Sequence, residues 1–68
     1  MTNKIKALCA IRGINQQELA EKLGTPQSNL SKKYKLDNWR TEDLIQIADI
    51  LNADFEGNFV LRDTKERV

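Results

Sequence analysis

Apolar residues recur at helical spacing through the first fifty positions of this chain and then lose that spacing. Ile5, Leu8 and Cys9 share one side of a helix predicted over about Asn3 to Arg12, with Thr2 or Asn3 as its cap and Gly13 as its end. Asn15 and Glu18, three apart, can form the two halves of a capping box, and Ile14 with Leu19 supplies a hydrophobic staple. The second helix so started buries Leu19, Ala20 and Leu23, and Gly24 closes it. Thr25 can cap a third helix, with Pro26 in its first position, where a missing N–H costs nothing. That helix, about Pro26 to Tyr34, would be only about 13 Å long. The connector Lys35 to Arg40 contains the turn formers Asp37 and Asn38, and Trp39 plugs the core beneath it. Thr41 caps a fourth helix whose first turn, with Glu42 and Asp43, complements the helix dipole. Leu44, Ile47, Ala48 and Leu51 follow the i, i+3, i+4, i+7 pattern, with Ile45 and Ile50 on its flanks. So wide an apolar face needs a second surface to cover it, either the chain's own tail or a partner.

Beyond Asn52 the period changes. The run DFEGNFVLRD, Asp54 to Asp63, predicts a strand over about Phe55 to Arg62 that puts Phe55, Phe59 and Leu61 on one face. Gly57 lies between them as a bulge or a point of close backbone approach. A lone strand leaves its amides and carbonyls unpaired, so it must fold back at Glu56 to Asn58 or pair with its counterpart in another molecule. Thr64 to Val68 are expected to fray. The fold class that follows is mostly α: four helices in residues 1–54, then a C-terminal β-strand and tail in residues 55–68.

The third helix is the anomaly in this plan. Only Leu30 and Tyr34, four apart, give it an apolar side. Opposite them on the helical wheel lie Ser28 and Lys32, flanked by Asn29 and Ser31, while Gln27 projects from the first turn. A helix with so little to bury has either an ordinary solvated face or a face kept for a partner. From Lys22 to Arg40 five basic residues are opposed only by Asp37, which favours a negatively charged partner.

Size and composition narrow the choice. A chain of 68 residues holds one domain with a small core, which makes pairing with a second copy an expectation. The net charge of +1 conceals an asymmetry: residues 1–40 carry eight Lys/Arg against three Asp/Glu, and residues 41–68 carry three against seven. The basic half is the electrostatic footprint that phosphate binding requires. With no histidine and a single cysteine, Cys9, the usual zinc sets and the Ser/His and Cys/His nucleophile pairs cannot be assembled. Cys9 reads as a small buried hydrophobe, and the three glycines form no phosphate-cradling loop. The chain is therefore read as a non-enzyme with no cofactor, no metal and no small-molecule substrate. No apolar run is long enough for a membrane span and MTNKIK lacks the core of a secretory signal, so a cytoplasmic location is expected.

At this point a family can be compared. Asn15, Gln16, Glu18, Leu19, Ala20, Gly24, Gln27, Ser28 and Leu30 together resemble the helix-turn-helix of phage repressor and Cro-type (XRE-like) regulators, and LIQIADILNADF is similar to that family's fourth helix. The likeness covers about residues 3–55. Its parts are joint steric requirements: a small residue where two helices cross, a flexible one where the chain reverses, and an aliphatic one in the helix that follows. The resemblance implies that the third helix enters the DNA major groove, with Gln27, Ser28 and Lys32 on base edges and Asn29 and Ser31 flanking them. It places Asn15 and Gln16 on phosphate, where free helical N–H groups also face the anion. Charge alone adds Lys33, Lys35, Asn38 and Arg40 as phosphate partners.

Two departures from the family stand out. Lys33 occupies a position that is usually aliphatic, leaving Tyr34 to make the core contact, and the usual fifth helix is replaced by the strand. In Cro-type relatives such a strand joins the two subunits, which implies a dimer interface at Phe55, Phe59, Val60 and Leu61. The expected function is sequence-specific binding of double-stranded DNA at a palindromic operator by a homodimeric regulator that represses transcription, with nothing left in the chain to sense a ligand. The competing reading is a protein-interaction module, an antitoxin or accessory subunit, that turns its acidic C-terminal half toward a partner.

Overall fold

The computed structural model describes residues 1–68. Four helices, α1 (Thr2–Arg12), α2 (Gln16–Leu23), α3 (Gln27–Leu36) and α4 (Thr41–Ile50), are followed by two short strands, β1 (Ala53–Phe55) and β2 (Phe59–Leu61). None of the helices is long and apolar enough to cross a membrane.

The turns follow from local chemistry. Gly13 and Gly24 both adopt φ 70°, the left-handed conformation that a glycine takes without a Cβ penalty. In each case the next residue reaches back, Ile14 N–H to the Cys9 carbonyl at 3.0 Å and Thr25 N–H to the Ala20 carbonyl at 3.1 Å, so the last carbonyls of α1 and α2 are satisfied in the same way. The capping box at α2 is complete: Glu18 N–H donates to Asn15 Oδ1 at 2.8 Å and Asn15 N–H donates to Glu18 Oε1 at 3.2 Å.

Several boundaries differ from the sequence expectation. Helix α1 begins at Thr2, with Met1 as its cap, because the Thr2 hydroxyl is engaged elsewhere. Pro26 is the cap of α3 and Thr25 stands outside it, since the extended Pro26 backbone leaves its carbonyl to accept from Asn29 N–H at 3.0 Å. Helix α3 runs on past Tyr34 to Leu36 and stops at Asp37, which takes a left-handed φ of 50°. At α4 the cap is Arg40, whose N–H donates to the Asp43 carboxylate at 3.2 Å, and Thr41 is the first helical residue.

The C-terminal segment folds back on itself. Instead of one strand over Phe55 to Arg62, β1 and β2 pair antiparallel, Ala53 with Leu61 and Phe55 with Phe59, around a turn at Glu56 to Asn58 in which Gly57 has φ 82°. The tail expected to fray also pairs: Leu61 N–H donates to the Glu66 carbonyl at 2.9 Å and Val68 N–H to the Phe59 carbonyl at 2.8 Å. Phe55, Phe59 and Leu61 do share a face, and that face is directed at the helices.

One core of thirteen buried side chains results, with Ile5, Leu8, Leu19, Leu30, Ile47, Phe59 and Leu61 removed from solvent almost entirely. Cys9 belongs to it, and burial pushes its thiol up from the ordinary range. The surface that α4 needs is thus supplied by the chain's own hairpin. Phe59 and Leu61, expected at a subunit interface, lie inside this core and cannot meet a second chain there; Phe55 and Val60 remain half-buried.

Candidate DNA-binding face

Helix α3 is held from behind by few groups. Leu30 is its one fully buried residue. Tyr34 is half-buried, packs its ring 5.5 Å from that of Trp39, and has its hydroxyl pushed up by burial beside Cys9. Trp39 is thus a core plug as expected, and its indole Nε1–H donates to Thr2 Oγ1 at 2.9 Å. Thr2 in turn donates through its hydroxyl, at 2.8 Å, and its backbone N–H, at 2.9 Å, to Asp37 Oδ1. These bonds hold the Asp37 carboxyl down at about 2 and tie the end of α3 to the start of α1.

The outward side of α3 is left open. At 100° per residue, Gln27, Ser31, Lys35, Ser28 and Lys32 fall within a sector of roughly 140°. All five are exposed, none is a carboxylate, and neither Lys32 nor Lys35 makes an ion pair. The residues expected to read bases, Gln27, Ser28 and Lys32, therefore share one accessible surface with Ser31. Gln16, at the start of α2, joins them: its Nε2 donates to Ser31 Oγ at 2.6 Å, linking the two helices across the turn. Asn15 is exposed next to it, with Oδ1 committed to the capping bond. Asn38 and Arg40 are exposed on the connector beyond.

Two residues assigned to this surface point elsewhere. Asn29, although exposed, lines a notch between α3 and α4. Lys33 lines the same notch, and its Nζ donates to Asp43 Oδ2 at 2.6 Å, so the ammonium expected on phosphate is already engaged. Partial burial works against the charged form of Asp43, but the bonds from Lys33 and from Arg40 N–H outweigh it and hold the carboxyl below its ordinary value.

Two short helices joined by a glycine turn, the second presenting an uncharged and cationic side, form a helix-turn-helix. The sequence model of the Cro/C1-type HTH DNA-binding domain matches residues 4–56. The chain belongs to this family. No curated protein and no solved structure matches it. Membership in the Cro/C1-type family makes this a DNA-binding, transcription-regulating domain, and the matched span ends at Glu56, in the hairpin turn, so β2 and the tail lie beyond it.

Sequence reasoning missed the residue that joins this domain to its C-terminal part. Arg12 Nε donates to the Leu51 carbonyl at 2.8 Å and Nη2 to the Asn52 carbonyl at 2.9 Å, while the guanidinium grips Asp63 with two further bonds. A lone arginine in the last turn of α1 gives only the hint that it can serve helix-terminal carbonyls; that those belong to another helix is a tertiary fact.

Proposed function

We propose that this protein is a homodimeric regulator that binds a two-fold symmetric operator in double-stranded DNA, with α3 in the major groove, and represses transcription by occupying it. The observation that carries the reading is the unbroken, carboxylate-free exposed side of α3 made by Gln27, Ser28, Ser31, Lys32 and Lys35. Gln27 is suited to pair with adenine through two hydrogen bonds and Lys32 to donate to guanine acceptors. Asn15, Gln16, Lys35, Asn38 and Arg40 surround them as phosphate partners, and the N-terminus of α2 adds backbone donors. Of the residues expected at the interface, Val60 is half-exposed on the hairpin face turned away from Phe59 and Leu61, and it is the one best placed to meet a second copy.

Selection of bound duplexes from a random pool tests this directly. A palindrome with half-sites about one helical turn apart is expected; enrichment of no sequence would overturn the reading. A dimer that neutralises about eight phosphates should show log K falling with log salt at a slope near −7. A second reading, the protein-interaction module, draws on the groove between α4 and the hairpin, where Glu42 and Glu56, with Asp49 and Asp54 paired to Arg62, border Ile45 and Phe55. DNA affinity that ignores salt would favour it.

A further inference from the structure

Lys33 stands on the wrong side of α3 for the role its charge suggests. On the wheel it lies roughly 140° from Ser28 and 100° from Lys32, toward α4. Its aliphatic stem borders a notch of about 150 Å³ whose other walls include Leu23, Leu30, Trp39 and Ile47. An aliphatic side chain there would complete the packing between α3 and α4. Lysine instead brings its ammonium to Asp43 on the notch wall, so that packing is traded for a charge-assisted bond of 2.6 Å. Asp43 is itself fixed, because the Oδ2 atom that accepts from Lys33 also accepts from Arg40 N–H at the start of α4.

Leu30, the single fully buried residue of α3, and half-buried Tyr34, four residues on, form one narrow apolar line against the core, which constrains the rotation of a ten-residue helix about its own axis only loosely. The contacts at the two ends of α3, the Pro26 carbonyl and the Asp37 clamp, hold its position more than its roll. The middle of the helix has one polar tie to α4, the Lys33–Asp43 bond, and one to α2, the Gln16–Ser31 bond.

We propose that Lys33 and Asp43 form a strut that sets the roll of α3, making Lys33 a positioning residue for base recognition and not a phosphate ligand. The proposal rests on the DNA-binding reading above and deepens it. A roll error moves Gln27, Ser28 and Lys32 together, so the strut acts on discrimination between sequences more than on attraction to DNA as such. The pair is only partly shielded, with 39% of the Lys33 side chain and 26% of that of Asp43 exposed, so either partner can be neutralised without leaving a deeply buried charge.

The experiment compares wild type with K33A, which removes the charge without supplying an aliphatic side chain long enough to fill the notch, with D43N, which keeps an oxygen for Arg40 N–H, and with the double variant. For each, affinity for the selected duplex and for a scrambled duplex is measured across a salt series, with thermal unfolding run alongside to show that the fold survives. The strut predicts that the matched-to-scrambled ratio falls on the order of tenfold in both single variants, comparable to one lost base contact. It predicts no larger fall in the double variant, and an unchanged salt slope in K33A. If Lys33 is a phosphate ligand, K33A weakens both duplexes alike and lowers the dimer's slope by about two, while D43N strengthens both alike; that result overturns the proposal. Amide exchange in free α3 supplies an arm without DNA: faster exchange in both single variants supports the strut, and unaltered exchange counts against it. A wild type that prefers no duplex would sink the DNA reading while leaving this last arm intact.

Discussion

Arg12 and Asp63 face each other through two nearly parallel bonds, Nη1 to Oδ2 at 3.0 Å and Nη2 to Oδ1 at 2.9 Å, and so join the end of the first helix to the turn after the last strand. The same guanidinium holds the carbonyls of Leu51 and Asn52, which gives three separate segments one common fastening. Because the arginine is only 19% exposed and its partners are 39 to 51 residues away in sequence, the contact exists only in the folded chain.

The pH response of this fastening has a definite sign. Arg12 holds the Asp63 carboxyl at about 2, below its value in an unfolded chain near 4. The stabilisation is therefore complete above about pH 4 and is lost as pH falls from there toward 2. Thermal unfolding of wild type should show a decline across that window that is shallower in D63N, which should also melt lower at neutral pH. Parallel acid curves for the two proteins would mean that the pair contributes no coupling.

A second depressed carboxylate serves α3 itself. Asp37 is held at about 2 chiefly by the Thr2 hydroxyl, with help from the Thr2 N–H, so its contribution follows the same sign and the same window. T2V removes the hydroxyl that also accepts from Trp39, leaving an indole N–H without its partner. The expected outcome is a lower melting temperature and faster amide exchange at the junction of α3 and the connector, with exchange in α2 unaffected. Equal acceleration in both helices would show a global loss of stability and no local clamp.

The hairpin is expected to behave as core. Phe59 is wholly buried and Leu61 nearly so, with the Phe55 ring 5.4 Å from that of Phe59. F59A should cost about 3 to 5 kcal/mol, the usual range for an aromatic core deletion, which is a large share of the stability of a domain this small. Deleting residues 56–68 should unfold the chain. V60D, at a half-exposed position, should keep the fold and move the sedimentation coefficient from dimer to monomer. A truncated chain that retained cooperative unfolding would show the hairpin to be an accessory to the domain.

How these elements could be read beforehand differs from one to the next. Leu44, Ile47, Ala48 and Leu51 announce α4 because a buried stripe must repeat with the helix, and Asn15 with Glu18 announces the start of α2 because a cap is a local device. Nothing local distinguishes a strand that folds back from one that seeks a partner. The hydrophobic face is the same in both, and only the closure at Gly57 onto the helices decides between them. The Lys33–Asp43 bond is hidden in the sequence for a related reason. Lysine reads as a surface charge in one dimension, while its long stem lets it border an apolar notch and still bring its ammonium to Asp43. Arg12 gave only a hint from its place in the last turn of α1, since two of its acceptors are backbone carbonyls that every residue possesses and the third, Asp63, is 51 residues away.

Gln27 offers the sharpest test of sequence reading. It is exposed at the first position of α3, its side chain makes no hydrogen bond to another residue, and in the proposed docking it would meet DNA uncommitted. Gln16, by contrast, already spends its amide on Ser31. If Gln27 pairs with one adenine through both of its amide groups, Q27A should cost roughly 1 to 3 kcal/mol at the matched site for each half-site contact. Binding to a scrambled duplex should hardly change, because no phosphate contact is lost. Repeating the selection with Q27A should then relax preference at one symmetric pair of positions and leave the rest of the palindrome intact. Q16A should act differently, weakening all duplexes, since it removes a phosphate partner and frees Ser31. Should Q27A and Q16A reduce matched and scrambled binding by the same factor, the division between the residue that reads and the residue that anchors would have to be abandoned.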